Sequence, residues 1–226
     1  MKNLCKEIND LKEEIKIIKD IKEENNNIKK ENVELKNQLN NLYSYLNLFG
    51  LCSMILKINE FDFIKNYIKK SMNKEIKQIK KLYQATIDGG DPSVFHTKCD
   101  NIPNTLILIE SSGNKRFGGF TSEVWDKSNQ YKYDKNAFLF SLDKQKIYRN
   151  KSEEGKYAIY CHEKQGPSFG VGHDIGIIGN PIKSLTQNSY LFTFPCSYNY
   201  NGENNSLSKS GHILAKDYEV YQIIFE

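Results

Sequence analysis

The sequence predicts an α+β, mainly β protein: a two-sheet antiparallel β-sandwich with a few flanking helices, preceded by an N-terminal coiled-coil helix. Two observations carry that prediction. Apolar residues recur at alternating steps of three and four through the first 46 residues, the heptad rhythm of a supercoiled helix. Beyond Gly89, short runs of strand character follow one another with turn residues between them and no long helix, which suits a sandwich better than a doubly wound sheet. The expected organisation is a coiled coil over 1–50, a linking helical segment over 51–72 and a C-terminal domain over 73–226.

In the rod, Leu4, Ile8, Leu11, Ile15 and Ile18 stand 4, 3, 4 and 3 residues apart, and a further step of three reaches Ile21. Two such steps in succession form a stammer, which overwinds the supercoil locally. With Ile21, Ile28, Leu35 and Leu42 at d, Asn25, Asn32 and Leu39 complete the seam at a. Asn at a fixes register and favours two strands at some cost in stability. Glu24 and Glu31 fall at g, with Lys29 and Lys36 five residues on at e, the spacing of ion pairs between parallel helices. The seam therefore predicts a parallel homodimer through residues 4–46, in preference to a lone amphipathic helix with a solvated face.

Residues 43–58 are apolar and aromatic without a clean period, so the rod is expected to merge there into something packed. Helical spacing returns at Phe61, Ile64, Ile68, Met72, Ile76, Ile79 and Leu82, which predicts a helix over 61–82. Lys65, Lys69, Lys74, Lys77, Lys80 and Lys81 would occupy its other face. The plainer reading is a lid helix with its lysines in water. The sharper one is a basic face for phosphate or an acidic partner.

Asp91 and Pro92 read as the N-cap and first residue of a short helix running to about Asp100. Strands are expected at Thr105–Ile109, Arg116–Thr121, Ala137–Leu142, Ile147–Tyr148, Tyr157–Glu163, Ile175–Ile178, Tyr190–Phe194 and Tyr218–Phe225.

Composition narrows the function classes. The chain has 226 residues, 38% hydrophobic and 27% charged, with a formal net charge of +4. Residues 51–82 hold eight Lys against three acids, so the basic excess belongs to one short segment. Only Arg116 and Arg149 are arginine among 32 basic residues, which argues against base-reading, where the arginine fork dominates. Charges at Lys2, Lys6 and Glu7 exclude a signal-peptide core, and the longest uncharged stretch, 37–56, is too polar to span lipid. A soluble protein is expected. Cys5, Cys52, Cys99, Cys161 and Cys196 are widely spaced without a C-x-x-C pair, which points to a reducing compartment. A zinc site would need His96, His162, His173 and His212 to converge from separate segments, so neither metal nor cofactor is expected.

Leu82-Tyr83, Phe95-His96, Cys99-Asp100, Thr105-Leu106, Phe117-Gly118-Gly119-Phe120-Thr121-Ser122 and Trp125 open a series of blocks. Ala137-Phe138-Leu139-Phe140-Ser141-Leu142, Gly166-Pro167-Ser168-Phe169-Gly170, Gly172-His173-Asp174-Ile175 and Glu219-Val220-Tyr221 continue it. In this order they resemble the TLDc domain, from about residue 73 to the C-terminus. The resemblance implies a two-sheet sandwich with flanking helices and an association with resistance to oxidative stress. Several members bind and regulate the vacuolar proton-pumping ATPase, and none has an established enzymatic mechanism.

The residues themselves lead to matching expectations. Gly118 and Gly119 mark a bulge or a close backbone approach. Trp125 plugs the sandwich edge, the alternative being an exposed anchor for a partner. The run from Gly166 to Gly170 satisfies the G-x-S-x-G pattern of hydrolase elbows, and Ser168, Asp174 and His212 stand in a permitted triad order. The glycines at 172, 176 and 179 will not hold the helix that an elbow requires. A tight loop is expected instead, its Ser168 hydroxyl and Asp174 carboxylate satisfying backbone donors. His173 and Asp174, being adjacent, are expected in structural hydrogen bonds rather than as a catalytic pair. Gly166, Pro167, Ser168, Phe169, Gly170, His173 and Asp174, with Gly118, Gly119 and Trp125, are thus candidate interaction or loop-shaping residues.

The function expected is a non-catalytic protein-interaction module in oxidative-stress response, with protein partners that include subunits of the proton pump. The alternatives are a dimeric nucleic-acid-binding stress regulator using the basic helix 61–82 and, more remotely, a serine hydrolase at Ser168. The expected location is the cytoplasm, at the cytosolic face of acidic organelles, with the nucleus left open.

Overall fold

The computed structural model describes residues 2–49, 53–57, 60–186, 188–203, 207–208 and 211–226, with only the helical backbone at 2–10 and 44–49. The side chains of Leu4, Ile8 and Leu46 in the expected dimer seam, and Cys5 and Cys52, therefore lie outside the described residues. The chain divides into two units after Tyr45.

The first unit is helical. Helix α1 spans Lys2–Phe49. Within one chain Ile21, Ile28, Leu35 and Leu39 are exposed, and Asn25 and Asn32 lie exposed between them. Leu42 is half-buried. Among the described residues no helix is long and apolar enough to cross a membrane.

The second unit, Leu46–Glu226, contains the sandwich. Its elements are α2 (Phe61–Met72), β1 (Ile76–Gln84), α3 (Ala85–Asp88), α4 (Pro92–Cys99), β2 (Thr105–Ser111), β3 (Arg116–Thr121), β4 (Gln130–Lys132) and β5 (Phe138–Ser141). They continue as β6 (Lys146–Arg149), β7 (Ile159–Cys161), β8 (Gln165–Phe169), β9 (Ile175–Ile178), β10 (Tyr190–Thr193), β11 (Gly211–Ile213) and β12 (Ala215–Phe225). One six-stranded sheet runs β1-β12-β2-β3-β5-β6 and the other β11-β10-β9-β8-β7-β4. Neighbouring strands pair antiparallel throughout.

Alternation along the strands separates two apolar layers. Ile107, Ile109, Phe117, Leu139 and Val220 of the first sheet share the inter-sheet core with Ile159, Phe169, Ile175, Ile177 and Leu191 of the second. The residues between them in the first sheet, Leu106, Leu108, Phe120, Phe138 and Phe140, are also buried. They face outward, where α2 covers them: Phe61, Ile64 and Ile68 are buried and the Tyr67 ring meets Phe138 at 4.6 Å. Burial of each such side chain stabilises by about 1.5–3 kcal/mol.

The expected helix over 61–82 is corrected. It ends at Met72, where Asn73 adopts a left-handed conformation with φ 51°, a common helix stop. Ile76 to Gln84 then pair with β12 as an edge strand. Two register shifts, between Ile76 and Gln78 and between Lys81 and Tyr83, break the strand alternation and imitate helical spacing. Ile79 consequently shares the outer layer with Ile223, whereas Tyr83 enters the core beside Val220.

The segment before α2 is fastened by side chains. Ser53 Oγ donates to Glu219 Oε2 at 2.5 Å and Met54 N to Glu219 Oε1 at 3.0 Å. Arg116 donates from both Nη atoms to the Glu60 carboxylate at 2.7 Å, from Nη1 to Ile55 O at 3.2 Å, and from Nε to Asp143 at 3.1 Å. Arg116→Ala leaves the buried Glu60 without its bidentate partner and is expected to cost about 3 kcal/mol by urea unfolding. Arg116→Lys should recover only part of this, because the fork is lost.

Candidate functional site

The G-x-S-x-G segment is a strand, not the expected tight loop. β8 occupies an interior position between β7 and β9. Its register shifts between Gln165 and Ser168, and such an irregularity accommodates Pro167, which has no N–H to offer a ladder. Ser168 is fully buried and its hydroxyl donates to Gln165 Oε1 at 3.0 Å or Gly166 O at 3.3 Å, rather than accepting from backbone donors. No helix follows it: Gly170 to Asp174 form the turn into β9. His212 lies on β11 and stacks on the Tyr190 ring at 3.7 Å. Ser168, Asp174 and His212 each bond or stack with other groups.

Asp174 behaves as the sequence suggests, over a longer reach. It is fully buried and accepts from the backbone N–H groups of Cys196, Ser197 and Tyr198 at 2.9, 2.7 and 3.1 Å. Burial pushes its pKa up and the three backbone N–H bonds pull it back, with a net rise. Gly170 makes this clamp possible. Its φ is +77°, and a Cβ there would stand 2.0 Å from Asp174 Oδ2. Phe169, at the end of β8, fills the core under Gly119 and meets the Trp125 ring at 5.5 Å.

His173 does not pair with Asp174. Its Nδ1 is buried without a hydrogen-bond partner, and its ring lies 5.9 Å from Tyr160. Burial, then the nearby His162, lowers its pKa from 6.5. The neutral ring is therefore favoured in the fold, whereas the unfolded chain protonates first. The resulting stabilisation is complete above pH 6.5 and is lost as pH falls through the lower folded value. An NMR titration should find the His173 ring changing charge below 6.5. The His–carboxylate contact occurs elsewhere: His96 Nδ1 meets Asp100 at 2.7 Å, and its Nε2 meets His162 O at 3.0 Å.

Trp125 is a core residue, not an exposed anchor. It is 1% exposed, donates from Nε1 to Thr105 Oγ1 at 2.8 Å and meets Phe95 edge-on at 5.9 Å. Gly118 and Gly119 form no bulge. They pair in unbroken register with both β2 and β5, and what requires glycine is close approach. A Cβ on Gly119 would meet Phe169 at 2.7 Å and one on Gly118 would meet Ile107 O at 1.9 Å.

The lysines expected on one basic face are dispersed. Lys65 and Lys69 are on α2, the first 5.8 Å from the Phe61 ring and the second bonded to Glu75 at 2.7 Å. Lys74 lies 5.9 Å from the Phe225 ring, and Lys77 and Lys80 are exposed on β1. Lys81 turns to the fully buried Glu219 at 3.0 Å. The helix that was to present a phosphate-reading face does not continue past Met72.

Sequence reading missed this carboxylate network. Glu219 accepts from Ser53, Met54, Lys81 and the Tyr221 hydroxyl. Its neighbour Asp217 accepts from Gln84 Nε2 at 2.7 Å and from Thr86 N and Oγ1 at 3.1 and 2.8 Å. Tyr83 and Tyr218 join hydroxyls at 2.8 Å, and Tyr83 also reaches Gly89 O at 2.7 Å. The available signal was the pair Asp217 and Glu219, two acids flanking Tyr218 in a strand that is otherwise mostly apolar. Cys99 and Cys161 are buried, which pushes the Cys161 thiol up to about 11 and Cys99 further. Among the described residues no group of three or more His, Cys, Asp and Glu is placed to hold a metal ion.

No curated protein matches the sequence significantly. The family model of the TLDc domain matches residues 50–224, taking in α2 and both sheets. The match covers most of the chain and the elements whose packing depends on its glycines, Trp125 and Asp174, so the chain belongs to the TLDc domain family.

Proposed function

We propose that this chain acts without chemistry of its own, as a protein-interaction module of oxidative-stress responses carried as a parallel homodimer on α1. In the finer form of the proposal, the domain docks on the cytosolic part of the vacuolar proton-pumping ATPase and alters its assembly. This places the chain in the cytoplasm, at the surface of acidic organelles. The observation that carries the reading is the family match over residues 50–224. The internal use of the motif's polar groups supports it, because Ser168 and Asp174 are buried and bonded within the fold. The exposed seam of α1 supports the dimer, since an apolar stripe of this kind is covered in a coiled coil.

Affinity purification from cell lysate under mild oxidant, with the full chain and with residues 46–226 alone, tests the reading. Pump subunits should come down with the full chain. Recovery of no protein partner would sink the interaction module, and recovery of other partners without the pump would remove its finer form. The dimer has its own measurement. Sedimentation should give two chains for the full sequence and one after deletion of residues 1–45. A monomeric full chain would refute the coiled coil.

A further inference from the structure

The two arginines of this lysine-rich chain have opposite surroundings. Arg116 is saturated by Glu60 and Asp143. Arg149, at the end of β6, rests its guanidinium 5.4 Å from the Tyr67 ring centre and donates from Nε to the Tyr67 hydroxyl. Its Nη atoms have no acceptor among the described residues. With Tyr67 it lines a cavity of about 510 Å³ and an adjoining one of about 290 Å³.

Lys70 of α2 and Lys135 of the β4–β5 connection line the larger cavity with Arg149. Neither lysine has an ion-pair partner among the described residues, and Glu153 is the one carboxylate in the lining. Ser152 adds a hydroxyl. Three cations from three separate segments thus face one recess whose size suits a small ligand. The fork of Arg149, with Nε braced on Tyr67, is pre-oriented to hold two oxygens of a tetrahedral anion, while the lysines act as point charges.

We propose that this recess between α2 and the β6 edge binds a compact anion bearing two or more phosphate groups. A recess of about 510 Å³ with three cations in its lining has the room and the charge for more than one phosphate. The same chemistry is offered by a soluble polyphosphate and by a phosphorylated lipid headgroup.

Calorimetry with inorganic tripolyphosphate and the full chain at low ionic strength tests the site. One anion should bind per chain. Arg149→Ala should weaken it about tenfold or more, and Lys70→Ala with Lys135→Ala by a similar factor. Arg149→Lys keeps the charge without the fork and should fall between. Lys77→Ala with Lys80→Ala should leave binding unchanged. Unfolding midpoints establish that each variant is folded.

Sedimentation with phosphatidylcholine vesicles, with and without phosphatidylinositol bisphosphate, separates the two sources. Arg149-dependent retention on the phosphorylated vesicles assigns the site to the headgroup. Tripolyphosphate binding without retention assigns it to a soluble anion. Binding to neither probe overturns the proposal. So does equal weakening by the Lys77 and Lys80 changes, since general positive charge would then be collecting the anion.

Discussion

Gly118→Ala is expected to destabilise the domain by about 4 kcal/mol or more. The new Cβ would stand 1.9 Å from the carbonyl oxygen of Ile107 and 2.7 Å from the Phe140 ring. The first obstacle is backbone, so no rotamer change relieves it. β3 is paired on both sides, to β2 and β5, and moving it from one neighbour disrupts its ladder with the other. Against a typical domain stability of about 5–15 kcal/mol this is a large loss. The single tryptophan, Trp125, is buried in the core and gives a natural fluorescence signal for urea unfolding. Gly113→Ala is the control: its Cβ would meet only Ser111 Oγ, at 3.8 Å, and the midpoint should hardly move. Equal midpoints for the two variants would contradict the described packing of β2 on β3.

Asp174→Ala should cost about 3 kcal/mol, because it strips the acceptor from three backbone N–H groups at once. The loss has an address. Hydrogen exchange should accelerate at Cys196, Ser197 and Tyr198 before it does in β2 or β3. Asp174→Asn should recover part of the stability, since an amide offers one oxygen where the carboxylate offers two. Unchanged exchange at 196–198 would show that the segment is held by something else, such as the Tyr198 hydroxyl on Ala158 O at 2.9 Å.

What the sequence revealed depended on how local the cause was. Arg116–Thr121 and Ile175–Ile178 are strands at the expected residues, because their apolar runs and bounding turns lie within a few positions. The helix at Pro92 was legible from its own first residue, although Asp91 makes no side-chain cap. β1 was not legible, since its two register shifts space Ile76, Ile79 and Leu82 as a helix would. β8 was hidden by Pro167 and flanking glycines, which read as loop until a register shift is known to be available. β4 and β11, three residues each, are too short to carry a period.

The site divides in the same way. Close approach at Gly118 and Gly119 follows from residue type within a strand. Asp174 as an acceptor of backbone donors could be anticipated, but not that its donors lie more than twenty residues away. The ties of Ser53 to Glu219 and of Arg116 to Glu60 join residues 166 and 56 positions apart, which no short window can reveal.

The place of β12 bears on how the molecule is made. It lies between β1 and β2, yet every other strand precedes it in the chain. A nascent polypeptide emerging from the ribosome can therefore form the hairpin of β2 and β3 early, while both β1 and the free side of β2 wait for residues 215–225. Until those are translated, two sticky borders stay open to chance pairing, a hazard that holding chaperones exist to manage.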